Sequence, residues 1–172
     1  EKGSKEIEHG VFVPREVEDS EIASLDKKDM KIKNKDIKQY FKIKAPEKLV
    51  EIETNSGRKV EVTLENTILT IKKGSTVWKK AQHLKKGDYV ASARNLPQLK
   101  KGIITNLEKT DIFWDSIKNI RFKDNKEHNY VYDVTVKDEH SFICNGITIH
   151  NTATVVKDEE MGGWVLEAGA LV

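Results

Sequence analysis

The sequence predicts an all-β domain with little helix, and three observations carry that prediction. Apolar and polar residues alternate over short runs, Gly and Asn turn signals close those runs, and stretches with a period of 3.6 are scarce. A chain of 172 residues holds one such domain and leaves room for a tail.

Taken in order, the first regular segment is Arg15 to Leu25, whose spacing predicts a turn or two of helix. Lys27 to Lys38 reads as a charge-rich hairpin or loop with a solvated surface. Leu49 to Thr54, the turn Asn55-Ser56-Gly57, and Val60, Val62 and Leu64 on one face form a strand–turn–strand signature. Thr67 to Ile71 is the next strand, followed by a second short helical candidate at Trp78 to Leu84. Strands are then predicted at Tyr89 to Ala93, Ile112 to Phe122, Tyr130 to Val136 and Ser141 to His150, with a polar loop at Asp124 to His128. After residue 151 the character changes: two apolar strand-like runs flank a turn over Lys157 to Gly163.

Composition narrows the function classes. Thirty Lys and Arg stand against 28 Asp and Glu, a net charge of +2, and the two signs are interleaved. That pattern argues against a dedicated nucleic-acid binder. No apolar run approaches bilayer-spanning length and no signal peptide is seen, so no membrane association is expected. A single cysteine excludes an internal disulfide and any zinc site built on several thiolates, which fits a reducing cytoplasm. Lys and Glu richness with few prolines suggests a thermophile source.

The most informative stretch is Tyr130 to Thr152, YVYDVTVKDEHSFICNGITIHNT. Asn145-Gly146 between two β-patterned runs is a strong hairpin signal, because a type I′ turn needs positive φ at both central residues. Asn-Gly is also prone to ordinary deamidation, but the turn role is the stronger reading. Such a turn makes Cys144 face Ile147, Phe142 face Ile149 and Ser141 face His150, with His140 across from Asn151. Any one of these polar residues alone reads as an ordinary solvated strand end. Converging, they point to specific chemistry: the Asn151 side-chain nitrogen can attack its own backbone carbonyl, forming a succinimide and releasing the next residue. That reaction needs a polarised carbonyl and a protonated leaving nitrogen, which is work for histidines near neutral pH.

At this point the residues resemble the inteins, self-splicing domains of the Hedgehog/intein (HINT) fold. Val131-Tyr132-Asp133-Val134, His140-Ser141-Phe142, Asn145-Gly146 and His150-Asn151-Thr152 are similar to the C-terminal intein blocks. Upstream, Gly57 to Thr70 is similar to the block that supplies a Thr and, three residues on, a His, and Leu84 to Val90 resembles the next motif. The resemblance implies a horseshoe-like all-β fold with pseudo-two-fold β-hairpins and an autocatalytic protein-splicing activity in a monomer, with no metal or organic cofactor. Asn151 would cyclise with help from His150 and His140, Thr152 would be the downstream nucleophile, Asp133 would tune ester exchange, and Thr63 would help activate the upstream junction. The stretch from Pro97 to Tyr130 leaves no room for an endonuclease domain, so a mini-intein is expected.

Two departures from the family pattern stand out. Asn66 occupies the block-histidine position and cannot carry a proton at neutral pH, so a basic group is expected to compensate, with Lys44, Arg58 and Lys59 as candidates in flanking strands. The chain also starts at Glu1 without the family's Cys or Ser nucleophile. Glu1 to Ile7 looks like the hairpin after the first family strand, with Ser4 too far into it to be that nucleophile; roughly ten to twenty family residues would precede it. The chain as given is therefore expected to cleave after Asn151 without splicing. Residues 152–172 resemble part of the archaeal-type minichromosome maintenance (MCM) replicative helicases, which implies residues 1–151 as intein and 152–172 as a host segment acting in cis. Two other classes compete with this reading. A cysteine hydrolase using Cys144 and His140 is disfavoured because the hairpin puts them at opposite ends, roughly 13 Å apart; a β-rich binding module would use exposed Trp78 or Trp114.

Overall fold

The computed structural model describes residues 4–8, 11–14, 20–94, 110–151, 153–157 and 164–168. In chain order the strands are β1 (Ser4–Glu8), β2 (Val11–Pro14), β3 (Glu21–Asp26), β4 (Lys31–Lys44), β5 (Lys48–Thr54), β6 (Lys59–Thr63), β7 (Thr67–Lys72) and β8 (Ser75–Lys80). A 3-10 turn at Ala81–His83 precedes β9 (Tyr89–Ala93), β10 (Ile112–Asp124), β11 (Tyr130–Val136), β12 (Ser141–Cys144), β13 (Ile147–His150), β14 (Ala153–Lys157) and β15 (Trp164–Ala168). One sheet runs β1-β2-β4-β11 with β3 added to β4; a second runs β12-β13-β7-β9-β10-β5-β6 with β8 added to β7; β14 and β15 form a separate ribbon.

Two long strands organise this topology, each changing partner part-way along its length, and β4 also pairs with β2 at Lys42↔Phe12. The first half of β4 pairs with β3, from Lys31↔Asp26 to Asp36↔Glu21, and its second half pairs with β11, from Ile37↔Val136 to Lys44↔Tyr130. The strand β10 repeats the device, pairing with β9 from Ile112↔Ala93 to Ser116↔Tyr89 and then with β5 from Ile117↔Thr54 to Asp124↔Lys48. A register shift between Ile117 and Asn119 falls at that hand-over, where a bulge lets one strand bend between partners. The repetition is the pseudo-two-fold relation that the resemblance to the inteins implies.

The larger core cluster joins Val50, Ile52, Val60, Val62, Ile68, Leu84, Val90, Ile117, Ile147 and Ile149, and a second holds Leu25, Ile32, Leu69, Ala91, Ala93 and Ile112. The strand β7 is buried on both faces over Thr67 to Thr70 because it contributes Ile68 to one cluster and Leu69 to the other. No helix of the described residues is long and apolar enough to cross a membrane.

Both helical expectations are corrected. Within Arg15 to Leu25, residues 15–19 lie outside the described residues, and Glu21 onward is strand β3. The apparent helical spacing of Ile22 and Leu25 has another cause: in a strand, residues three apart face opposite ways. Ile22 packs against Ile37, Val134 and Val136, whereas Ala23 and Leu25 belong to the second cluster. Trp78 to Lys80 likewise belongs to β8, and only Ala81–His83 turns helically. The cause is a tight Lys73-Gly74 turn, with φ of 50° and 79°, that folds β8 back onto β7 at Lys72↔Ser75.

The strand expectations within the described residues hold, while most of the turn expected over Lys157 to Gly163 lies outside them. Lys27 to Lys38 is the turn and first half of β4 in the β3–β4 hairpin, the strands from Leu49 to Thr63 pair as a hairpin, and the β12–β13 register is Cys144↔Ile147, Phe142↔Ile149 and Ser141↔His150.

Candidate active site

The hairpin β12–β13 carries the downstream residues, and its turn is fixed from several sides. Asn145 and Gly146 adopt φ of 48° and 81°, the type I′ signature. Asn145 Nδ2 donates to Lys59 O at 3.0 Å, and Gly146 O accepts from Ala93 N at 2.7 Å. The Arg58 side chain lies across Gly146, where a Cβ would meet its Cδ at 2.8 Å. At the other end, Ser24 Oγ donates to Ser141 O at 2.6 Å and so ties the hairpin to β3.

That end is where His140, His150 and Asn151 meet. His140, in the left-handed region at φ 51°, accepts at its carbonyl from Asn151 N at 3.0 Å, the cross-strand neighbour relation expected. The His150 ring stacks with that of His140, with centroids 6.5 Å apart, and meets Trp78 edge-on at 4.8 Å. His150 Nδ1 stands 2.6 Å from Asn151 O, so an Nδ1–H tautomer donates to the carbonyl at which the expected cyclisation would take place. Asn151 is buried, and neither its Nδ2 nor its Oδ1 hydrogen bonds within the described residues. Such an unpaired buried amide costs about 1–3 kcal/mol, an exception among buried polar groups that calls for a reason other than stability. Burial pushes His150 below the ordinary histidine range, opposed by its bond to Asn151 O and reinforced by positive charge from His140 and Lys27. Thr152 lies outside the described residues.

The upstream candidates gather at a cavity of about 610 Å³. Thr63, Asn66, Asp133 and Lys44 line it, together with Phe142 and Ile149 of the hairpin. Thr63 Oγ1 donates to Asn66 Oδ1 at 2.8 Å, which sets the orientation of the amide, and Ala81 N holds the Asn66 carbonyl at 2.7 Å. Asp133 is buried and accepts from Val134 N at 2.8 Å. Lys44 ends β4, opposite Tyr130. Arg58 departs from expectation: it lies in the β5–β6 turn and not in a strand, its guanidinium donates to Ala93 O and to Ser56 Oγ, and it stacks 4.9 Å over Phe113. Lys59 is exposed and does not line the cavity.

Cys144 sits beside the turn, opposite Ile147, and burial raises its thiol pKa, an inert setting for a nucleophile. Trp78 and Trp114, the candidates for a binding surface, pack against the second core cluster. Sequence reasoning missed that Trp78 and Lys27 approach His150, and that Glu61 and His128 line the upstream cavity. The Lys73-Gly74 turn was a usable signal for Trp78; His128 carried none.

With this geometry in view, comparison with known proteins is specific. The intein splicing domain family matches residues 5–151. A replication factor C small subunit from Thermococcus kodakarensis is 31% identical over 96 residues, 55% of this chain and 11% of that protein. A replicative DNA helicase DnaB from Nostoc sp. is 39% identical over 49 residues, 28% of this chain and 5% of that protein. The chain thus spans about a tenth or less of these curated relatives. The crystal structure of the transcription factor IIB Mvu mini-intein superposes with a TM-score of 0.72 at 25% identity, covering 88% of this chain and 81% of that one.

Proposed function

The chain belongs to the intein splicing domain family, and on that premise we propose how it cleaves and what it interrupts. The protein is an autocatalytic splicing element, and its downstream step is cyclisation of Asn151. Nδ2 attacks the Asn151 carbonyl carbon, the bond to the Thr152 nitrogen breaks, and the proton lost by Nδ2 is made good on the leaving amine. The products are a succinimide-ended chain and a peptide with a free N-terminal Thr152; no water is consumed. The observation that carries this reading is His150 Nδ1 at 2.6 Å from the carbonyl oxygen beside a buried Asn151 amide without hydrogen bonds. His150 stabilises the developing oxyanion, and His140 completes the polar cluster around it.

The upstream half of the reaction belongs to the cavity. Thr63 with Asn66 polarises the upstream scissile carbonyl, Lys44 supplies the charge that an asparagine lacks, and Asp133 tunes transfer to Thr152. Residues 152–172 are host sequence of an MCM-type replicative helicase, supported by TATVV and WVLEAGALV and by the replication proteins among the relatives. The host segments act in cis, the element works as a monomer in the cytoplasm, and neither nucleic acid nor cofactor takes part.

Warm incubation of the purified chain followed by mass spectrometry tests the downstream step. Release of residues 152–172 is expected, abolished by Asn151→Ala and slowed roughly a hundredfold by His150→Ala. An unchanged mass over days, or release that survives Asn151→Ala, overturns the mechanism.

A further inference from the structure

An imidazole ring is not held by its own torsions. The χ2 well of histidine is broad, so a small rotation carries Nδ1 off a carbonyl that it must reach at 2.6 Å. The His150 ring is confined from two sides. His140 lies offset on one side, with rings 16° from parallel and centroids 6.5 Å apart, and Trp78 meets it at 84° with centroids 4.8 Å apart, within the range favoured by aromatic pairs. Trp78 reaches this position from β8, opposite Leu69 on β7, the strand that pairs with β13 at Ile68↔Ile149. Lys27, in the β3–β4 turn, sets its Nζ 5.5 Å over the same indole. The β7–β8 hairpin and the β3–β4 turn, neither of which carries a reacting group, thus close on the one ring that touches the scissile carbonyl.

We propose that Trp78 is a positioning residue for the downstream cleavage: its indole, steadied by Lys27, fixes the His150 ring with Nδ1 on the Asn151 oxygen. The inference rests on the reading of Asn151 as the cleaving residue. It differs from a core-filling role, which asks only for apolar volume at position 78. The titratable groups beside His150 are His140 and Lys27, and neither substitution at Trp78 alters their number.

The test uses the full chain with Trp78→Leu, Trp78→Phe and Lys27→Met. Release of residues 152–172 is timed by mass spectrometry, and the tautomer of the His150 ring is read by nitrogen NMR in chains that also carry Asn151→Ala, which keeps the carbonyl and cannot cyclise. Trp78→Leu is expected to slow release about tenfold and to lose the Nδ1–H tautomer, while Trp78→Phe stays within about threefold and keeps it. Lys27→Met, an exposed change, is expected to slow release about threefold. Parent rate and tautomer in Trp78→Leu overturn the proposal, as does a Trp78→Phe chain as slow as Trp78→Leu. If Trp78→Leu does not fold, parent values for both measurements in Lys27→Met overturn it. If no chain releases peptide, the cleavage reading fails, and the ring tautomers still decide whether Trp78 positions His150.

Discussion

Replacing Gly146 by alanine probes whether the reactive hairpin is held by its own turn or by Arg58. At φ 81° an alanine sits in the left-handed region, at a cost of about 1–2 kcal/mol. Its Cβ would also meet Arg58 Cδ at 2.8 Å, so the arginine must move. It is not a loose chain end. The guanidinium donates to Ala93 O and to Ser56 Oγ, stands 3.8 Å from Asp115 and covers Phe113 at 4.9 Å. Giving up two hydrogen bonds and the ring contact costs about 2–3 kcal/mol, so the substitution is expected to destabilise by about 3–5 kcal/mol. That is a large share of the roughly 5–15 kcal/mol that holds a domain folded. Urea denaturation of the parent, Gly146→Ala, Arg58→Ala and the double variant measures the separation of the two terms. In the Arg58→Ala background only the dihedral cost should remain, leaving a coupling of about 2 kcal/mol. Costs for Gly146→Ala that agree within about 0.5 kcal/mol in the two backgrounds refute the clamp.

Two further outcomes are expected. Because burial lowers the His150 pKa below 6.5, the unfolded state binds the extra proton between the folded value and 6.5; the stabilisation is complete above that window and is lost as pH falls through it. Denaturation midpoints at pH about 7.5 and about 5.5 should therefore fall further in the parent than in His150→Gln, and equal losses refute the assignment. In a precursor carrying an upstream nucleophile, Lys44→Met should reduce thiol-induced cleavage at the upstream junction about tenfold or more while Asn151 cleavage persists, and Lys59→Gln should react like the parent. A parent rate for Lys44→Met returns the whole task to Thr63 and Asn66.

What could be read from the sequence was what local rules encode. Asn145-Gly146 specifies a turn type, and the turn type specifies which residues face each other, so the convergence of His140, His150 and Asn151 follows by counting. The β5–β6 hairpin was legible for the same reason. Illegible were pairings made at long range. Ile22 and Leu25 mimic a helix until β4 arrives to pair with β3, and nothing local announces that Ser24 will bond Ser141 across 117 residues. The placement of Arg58 in a strand failed similarly, since its partners Ala93, Phe113 and Asp115 are brought to its turn only by β9 and β10.

The hairpin also explains how one short segment can serve two sites. Alternation puts Phe142, Cys144, Ile147 and Ile149 on one face, all packed with the larger core cluster, and carried one residue past β13 it assigns Asn151 to that face. Ser141, Ile143, Thr148 and His150 take the other face, where Ile143 joins the second cluster and His150 meets Trp78. On the proposed mechanism, the Asn151 amide and the His150 ring therefore approach from opposite sides of the sheet and meet at the Asn151 carbonyl. A slip of a single residue in the hairpin would exchange the faces, turning Asn151 toward Trp78 and His150 toward the cavity side. The contacts that fix register at the turn, from Arg58, Ala93 and Lys59, are thus as much a condition of the chemistry as the histidines.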